Sequence, residues 1–235
     1  MLLAVDTSTA QIGLALCDGT QLTAESIWYS HQHHTVELAP ALAELFKRTG
    51  LTINDVQALA IAIGPGSFTA LRVGMAFVKG LALAKKLPIV GIPTLDVLAA
   101  GLPTSKMPLG AVLQAGRGRI ALEWYKSPSA GQQKIAGSDS GGGGWKSQGA
   151  AQVITVDSMA DLIDKPTLIA GELTAAERQR LSRKKVNVVL ASPSACVRRP
   201  SLLAELAQAR LQAGQVDEPA SLAPIYLQLG ESIAI

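Results

Sequence analysis

Two short segments near the amino terminus carry residue types that could bind a phosphate or a divalent cation. In the first, Asp6, Thr7 and Ser8 follow an apolar run, at a point where a strand would end in a tight turn. Mg²⁺ prefers carboxylate oxygens and hydroxyls can bind phosphate, so this turn is a candidate ion or phosphate site. Asp and Ser side chains also bond the amides of ordinary turns, and that structural alternative stays open.

The second segment is a glycine-rich turn in which Gly64, Gly66 and Ser67 precede a predicted helix. Unpaired amides at the start of a helix attract anions. No Lys-Ser or Lys-Thr pair follows the glycines, however, so the segment is not a Walker loop. A tight strand-to-helix turn that needs positive φ explains the same residues.

Two further clusters also have structural explanations. His31, His33 and His34 precede a predicted helix with only Glu37 nearby, which favours a helix start over a metal site. A dense basic stretch could contact a nucleic-acid backbone, although a solvated helix face is the commoner use of such a pattern. That stretch comprises Arg178, Arg180, Arg183, Lys184, Lys185, Arg198 and Arg199.

The elements that must position these residues follow from hydrophobic periodicity. The predicted strands are Leu2–Asp6, Ile12–Cys17, Gln21–Trp28, Gln57–Ile63, Pro88–Ile92, Gly110–Gln114, Arg119–Tyr125, Thr167–Ala170 and Val186–Leu190. The predicted helices are His34–Arg48, residues 69–86 with Ser67 or Thr69 as cap, Ser158–Ile163, Thr174–Leu181 and Pro200–Gln212. This order predicts an α/β protein with mixed sheets.

The same order predicts two lobes. Residues 1–104, completed by the returning segment 200–235, form the first lobe, and residues 105–199 form a smaller and divergent second lobe. The second lobe contains 14 lysines and arginines against 7 acids, so it would tolerate an anionic partner. Within it, the Gly- and Ser-rich segment 127–151 predicts a flexible excursion.

The predicted helix at residues 69–86 has two apolar stripes, and a helix of this kind must bury both. The stripes are Leu71, Met75, Val78 and Ala82, and Ala70, Val73, Phe77, Leu81 and Ala84. One stripe can lie on the sheet, while the other needs either the helix at residues 34–48 or another polypeptide. Four small residues would allow close helix approach, namely Gly74, Ala76, Gly80 and Ala84.

The composition excludes several classes of protein. The 235 residues are 48% hydrophobic and 17% charged, which excludes intrinsic disorder. No apolar run reaches the roughly 20 residues of a spanning helix, and no basic segment of a signal peptide opens the sequence, so no membrane association is expected. Cys17 and Cys196 fit no CxxC pattern, which predicts free thiols in a cytoplasmic protein.

Taken together, three segments resemble the bacterial TsaB family, also called YeaZ. They read LLAVDTSTAQIGLALCDG, HHTVELAP and AIAIGPGSFTALRVGMAFVKGLALAKKLPIVGIPTLDVLA, and the tail motif PIYLQ is similar to the PxYLR ending of that family. The resemblance is strong in the first lobe and weak in the remainder. Ala70 stands where a glycine usually follows GPGSFT, and the short Gly-rich second lobe also departs from the family pattern.

This resemblance implies a two-lobed ASKHA (actin/Hsp70-like) fold and a role in tRNA modification. The product would be threonylcarbamoyladenosine, formed on the adenosine 3′ of the anticodon in tRNAs that read codons beginning with A. The chain would be a non-catalytic partner of its paralogue TsaD, which carries the metal and transfers the threonylcarbamoyl group. TsaE, an ATPase, would join that pair, and TsaC would make the adenylate donor.

The resemblance also implies what the chain itself would bind. It would require no cofactor, bind nucleotide weakly if at all, form a heterodimer with TsaD or a homodimer, and contact tRNA only through the complex. The partner interface would lie on the helices at residues 34–48 and 69–86, at or beside Leu42, Phe46, Val73 and Phe77. A vestigial nucleotide site would comprise Asp6, Thr7, Ser8, Gly64, Gly66 and Ser67.

Residue types support the non-catalytic interpretation. TsaD-like proteins carry an HxxxH pair just after the strand that follows the long helix, and Thr94 and Leu98 stand at those two positions here. Leucine cannot ligate a metal, and one hydroxyl cannot replace two imidazoles.

Three other functions remain open. An ATP-dependent small-molecule kinase of the same fold would need a second phosphate loop, which is not evident in residues 105–199. A metallopeptidase would need the missing HxxxH pair. Direct tRNA binding rests only on the basic second lobe and predicts a steep salt dependence.

Overall fold

The computed structural model describes residues 1–30, 33–127, 144–184 and 186–227. Its first sheet has the strand order β3-β2-β1-β4-β5. Strands β1 to β3 form an antiparallel meander, whereas β4 and β5 run parallel to β1. The strands are β1 (Leu2–Asp6), β2 (Gln11–Cys17), β3 (Leu22–Tyr29), β4 (Ala58–Ala62) and β5 (Ile89–Ile92).

The second sheet has the order β11-β10-β6-β7-β8, and β9 also pairs with β7. Its strands are β6 (Leu109–Gly116), β7 (Arg119–Lys126), β8 (Lys146–Ser147), β9 (Gln152–Thr155), β10 (Thr167–Gly171) and β11 (Val188–Leu190). In each sheet the first strand has antiparallel neighbours on one side and two parallel strands on the other. The two sheets therefore repeat one topology, and the predicted class of mixed sheets flanked by helices is confirmed.

Within the described residues, six α-helices complete a five-layered arrangement. They are α1 (His34–Thr49), α2 (Phe68–Lys85), α3 (Thr94–Ala100), α4 (Val156–Asp161), α5 (Ala175–Lys184) and α6 (Pro200–Gln212). Helices α1 and α2 cover the outer face of the first sheet, α3 and α6 lie between the sheets, and α4 and α5 cover the outer face of the second. The domain boundaries at residues 104 and 199 stay a prediction.

Strand β1 shows why the sequence folds in this way. All five of its residues are buried, because the strand is central and both faces of its sheet are covered. Side chains alternate along a strand, so Leu3 and Val5 pack with α1 and α2, while Leu2 and Ala4 pack with α6. The apolar run ends at Asp6, where the strand reaches the edge of the sheet.

The sequence predicts no element at α3, β8 or β9, and this part of the prediction is wrong. Helix α3 has seven residues, five of them buried between the sheets, so it shows no amphipathic period. Strands β8 and β9 are short and exposed, and they are defined by their pairing with β7.

The flexible excursion predicted for residues 127–151 is described only in part. Residues 128–143 lie outside the described residues. Trp145 is buried, and its indole N–H donates to the carbonyl of Leu102 at 3.0 Å, so this end of the segment is anchored in the core. Among the helices described, none is both long and apolar enough to cross a membrane.

Substituting Gly74 tests the contact between α2 and the turn after β1. A Cβ built on Gly74 would collide with the Thr7 hydroxyl, which donates to the carbonyl of Ala70. Gly74→Ala is therefore expected to destabilise the chain by about 1–3 kcal/mol, as overpacking does. In urea unfolding, the matched variant Gly80→Ala should gain about 0.5–1 kcal/mol, because nothing lies within 4 Å of that Cβ. Equal midpoints for the two variants would contradict this reading.

Candidate functional site

The two turns singled out in the sequence meet at one edge of the first sheet. One follows β1 and the other follows β4, and because these strands are parallel neighbours their carboxyl ends coincide. The Ser67 amide donates to the Ser8 carbonyl at 2.7 Å. A Cβ on Gly66 would collide with the same carbonyl, so this position requires glycine for the close approach of the turns.

Thr94, the first residue of α3, joins both turns. Its hydroxyl lies 2.8 Å from that of Ser8 and accepts a bond from the Gly64 amide at 2.9 Å. Its own amide donates to the Gly64 carbonyl, and Gly64 has a φ of 105°. Thr7, Ser8 and Thr94 are wholly buried. Because these hydroxyls bond to protein atoms, the geometry favours the structural alternative for the turns, and weak nucleotide binding stays a prediction.

The carboxylate of Asp6 also has protein partners on both oxygens. The Ser8 amide donates to Oδ1 at 2.8 Å, and the Arg198 guanidinium donates through Nε to Oδ2 at 2.9 Å. The same guanidinium bonds Glu172, which follows β10 of the second sheet, at 2.6 Å, and the Thr9 hydroxyl at 2.7 Å. The Arg198 guanidinium thus lies between the carboxylates of Asp6 in the first lobe and Glu172 in the second. A cation bound to both carboxylates would need the same position. The chain's own cation fills the candidate ion site at Asp6.

The electrostatics of this interlobe cluster keep Arg198 charged. Burial by itself would lower its pKa, but the nearby carboxylates of Asp6 and Glu172 raise the pKa above the usual range of arginine. The Arg198 side chain is 1% exposed, and Glu172 is 17% exposed. A guanidinium suits this position because its planar donors bond several acceptors at once without losing their proton.

In the sequence, Arg198 belongs to a single basic stretch, and nothing there indicates a site residue. In the structure, the members of this stretch lie in different surroundings. Arg199 points outward and pairs with Glu25, while Arg178 donates to the Ala191 carbonyl and Arg180 pairs with Asp157. Lys185 lies outside the described residues. No local pattern distinguishes Arg198 from Arg199, because the partner Asp6 is 192 residues away in the chain.

The two described histidines, His33 and His34, have separate partners. His34 Nε2 lies 2.9 Å from the carbonyl of Thr9, and His33 is exposed, 4.0 Å from Glu37. His31 lies outside the described residues. Across the described part of the chain, no group of three histidine, cysteine or acidic side chains is close enough to hold a metal ion.

The four predicted interface residues lie between the outer helices and the core. Leu42 is 5% exposed and belongs to the core cluster beneath α1 and α2. Phe46 and Phe77 are half-buried against that cluster, and Val73 is half-buried too. Leu42 therefore cannot contact a partner directly unless α1 moves, and the interface itself stays a prediction.

The surface outside these four residues is apolar and built from small side chains. On α1, the exposed apolar residues recur at helical spacing, and those of α2 do the same. They are Val36, Ala39, Pro40 and Ala43 on α1, and Ala76, Gly80, Leu83 and Ala84 on α2. Val36 is 65% exposed and Leu83 is 71% exposed. We call this surface the outer helical face.

An aromatic stack extends the outer helical face at the start of α2. The tail motif places Tyr226 5.0 Å from Phe68, measured between ring centroids. The Arg72 guanidinium lies 3.8 Å above the Phe68 ring, and its Nε donates to the Tyr226 hydroxyl at 3.1 Å. The Ile225 amide bonds the Ile63 carbonyl, which secures the tail beside β4. The stack therefore joins the tail motif to α2.

A second acidic cluster lies where α3 packs on the second sheet. The Tyr125 hydroxyl donates to Asp96 at 2.7 Å, and the Ser147 hydroxyl donates to Glu123 at 2.6 Å. Burial raises the pKa of Asp96, and it raises the pKa of Glu123 as well. The folded state therefore favours the protonated form of Asp96 more than the unfolded state does.

Replacing Asp96 with asparagine is expected to stabilise the chain at neutral pH. The pKa of Asp96 is higher in the folded state than in the unfolded state. Its contribution to the free energy of unfolding is therefore present below the pKa of the unfolded state, and it is lost as the pH rises through the pKa of the folded state. Asp96→Asn should raise Tm by roughly 2–4 °C at pH 7 and by nothing near pH 3. Asp18→Asn should show no gain, since hydrogen bonds from Thr20 lower the pKa of Asp18. A Tm difference for Asp96→Asn that does not change with pH would contradict this assignment.

Comparison with known proteins finds similarity to TsaB proteins over part of the chain. The TsaB protein of Bacillus subtilis is 31% identical over 125 residues, covering 53% of this chain and 55% of that protein. That of Escherichia coli is 35% identical over 100 residues, covering 43% of each. These partial matches support the predicted resemblance to the TsaB family. A family model described as "TsaD: tRNA N6-adenosine threonylcarbamoyltransferase" also matches residues 28–138.

The sequence matches and the structural matches differ in extent. The chain spans about half the length of the curated TsaB relatives it matches, at 55% and 43%. The structure of YeaZ from Pseudomonas aeruginosa superimposes with a TM-score of 0.75 at 23% identity, over 96% of this chain and 99% of that one. The fold of that structure is therefore shared over 96% of this chain, whereas each of the two sequence matches covers about half of it.

Proposed function

We propose that this chain is a non-catalytic partner of a TsaD-type tRNA N6-adenosine threonylcarbamoyltransferase. In this role it supports the formation of threonylcarbamoyladenosine in tRNA without carrying out the transfer itself. Sequence similarity to TsaB proteins supports the pathway, and similarity to the transferase of Moorella thermoacetica, 37% over 83 residues, supports common descent with the partner.

The observation that carries this proposal is the outer helical face. Eight exposed residues of α1 and α2 are small or apolar at helical spacing, so two helices of another protein can pack closely against them. Large apolar patches of this kind mark protein–protein contacts in soluble proteins. Phe46, Val73 and Phe77 are half-buried on the same two helices, so they would border the contact rather than form its exposed surface.

Two features support an accessory role over a catalytic one. Thr94 and Leu98 stand where a transferase-like protein would place its metal-binding histidines, and both are buried and at most 1% exposed. Asp6, the carboxylate best placed to bind a cation beside the glycine-rich turn, is bonded to Arg198. The metal and the ATP would belong to the partner proteins, with TsaE joining the complex and tRNA contacted through it.

Size-exclusion chromatography with light scattering tests the proposal directly. The chain is run alone and mixed with the TsaD of the same organism. A one-to-one complex, followed by tRNA modification that requires both proteins, is the expected result. A chain that stays monomeric and leaves modification by TsaD and TsaE unchanged would overturn the proposal. ATP turnover with a small acceptor would favour the kinase alternative instead.

A further inference from the structure

The second lobe contains a cavity that none of the proposed roles uses. It has a volume of about 260 Å³ and lies where the end of β7, the turn after α4 and the residue before β6 meet. Its apolar wall is formed by Pro108, Trp124, Leu162 and Ile163. Leu162 is 57% exposed, so the apolar surface continues from the cavity to the solvent.

Lysines surround the mouth of this cavity. Lys126 and Lys165 line it, and Lys146 lies directly opposite Lys126 in the antiparallel pair of β7 and β8. Like charges in directly opposed positions of two strands repel each other. Within the described residues, no carboxylate lies within 4 Å of these three ammonium groups, and Asp164 is the one acid that lines the cavity. The described part of the chain therefore places three lysines without an ion-pair partner beside an apolar cavity.

An apolar cavity with lysines beside it favours a ligand that has a flat apolar part and an adjacent negative charge. The cavity is smaller than the roughly 300–1,000 Å³ of pockets that enclose a drug-sized ligand, so it accepts one ring system and leaves the rest outside. A nucleobase with its phosphates fits this description, because bases pack on aromatic side chains while lysines neutralise the backbone. Gln148 and Asp164 also line the cavity, and their side-chain oxygens could accept hydrogen bonds from the edge of the base.

We propose that this lysine-rimmed cavity binds one unstacked nucleotide of an RNA strand. The strand is favoured over a free nucleotide because Lys146, which lies opposite Lys126 and does not line the cavity, adds a third ammonium group for a further phosphate. The site is on the second lobe, whereas the outer helical face proposed for TsaD is on the first, so the two proposals can be tested separately. It gives this chain a direct RNA contact that the proposed accessory role does not require.

Fluorescence anisotropy with a labelled RNA hairpin, carrying an anticodon stem and loop, tests the proposal on the full chain. Lys126→Gln combined with Lys165→Gln should weaken binding at about 50 mM salt at least tenfold and reduce the slope of log K against log salt by about 1.5. The matched control combines Lys47→Gln with Lys86→Gln on the first lobe and should change neither quantity. Equal losses in the two double variants, or no binding by the unsubstituted chain, would overturn the proposal.

Two further measurements separate the base from the backbone. Leu162→Ala removes an exposed part of the apolar wall and should weaken RNA binding severalfold without changing the salt slope. An unchanged affinity would mean that the lysines bind phosphates alone and that the cavity takes no base. AMP is titrated as the competitor, and it should displace the hairpin only at far higher concentration. Displacement by AMP at the concentration of the hairpin itself would assign the cavity to a free nucleotide.

Discussion

Replacing Arg198 with methionine is expected to lower the free energy of unfolding by about 3–5 kcal/mol, because the change leaves two carboxylates of opposite lobes without their cation. Asp6 is 2% exposed and Glu172 is 17% exposed, so water cannot replace the lost guanidinium at Asp6. Thr9 loses its charged donor as well. Urea unfolding followed by circular dichroism measures the effect as a lower midpoint.

The neighbouring residue provides the control. Arg199 is 53% exposed and pairs with Glu25 at the surface, so Arg199→Met should cost at most about 1 kcal/mol. A triple variant with Arg198→Met, Asp6→Asn and Glu172→Gln should recover most of the loss, since it removes the unpaired charges together with the cation. If Arg198→Met and Arg199→Met unfold at the same urea concentration, the interlobe cluster does not hold the lobes together.

Replacing Ala76 with glutamate is expected to weaken binding to TsaD by roughly a hundredfold, or about 3 kcal/mol, because it buries an unpaired carboxylate in the proposed interface. Ala76 is exposed on α2, so the substitution leaves the core of the isolated chain intact. It is therefore a cleaner probe than Phe77→Glu, which should also abolish pairing but which alters a side chain packed against the core. Light scattering of the mixed proteins and a tRNA modification assay both report the loss.

A second alanine on a different helix serves as the control. Ala176 is exposed on α5 of the second lobe, where an added glutamate meets no proposed interface. Ala176→Glu should leave both complex formation and modification unchanged. Wild-type affinity for TsaD in the Ala76→Glu variant would exclude the outer helical face as the binding surface, whatever other surface the partner uses.

Long periodic segments were predictable from the sequence because burial imposes their pattern. Strand β1 is an apolar run because both faces of its sheet are covered. Helix α2 has one buried and one half-buried stripe because its two sides are covered to different extents. In the structure, Phe77 and Leu81 of the second stripe pack against the core cluster that α1 shares, whereas Ala84 of the same stripe is exposed. The alternative of a partner polypeptide on this stripe stays a prediction.

Site residues were predictable in kind but not in role. The sequence indicated that the turns at Asp6 and Gly64 carry phosphate-binding residue types, and parallel pairing of β1 and β4 does bring them together. Whether those groups face a ligand or the protein depends on Thr94 and Arg198, which arrive from distant parts of the chain. The sequence cannot show which way these groups face, because the residue type of an arginine in a basic run does not indicate whether the side chain is solvated or buried.

By itself, the sequence determined the fold class, the order of most elements and the resemblance to the TsaB family, since all three depend on local periodicity and on motifs that are contiguous in the chain. Only the tertiary structure decided which polar groups are satisfied, which helix residues stay exposed and which arginine joins the lobes. The physical reason is that a buried charge is tolerated only beside its counter-charge. For Arg198 that counter-charge is supplied by residues that only folding brings near, one of them 192 positions away.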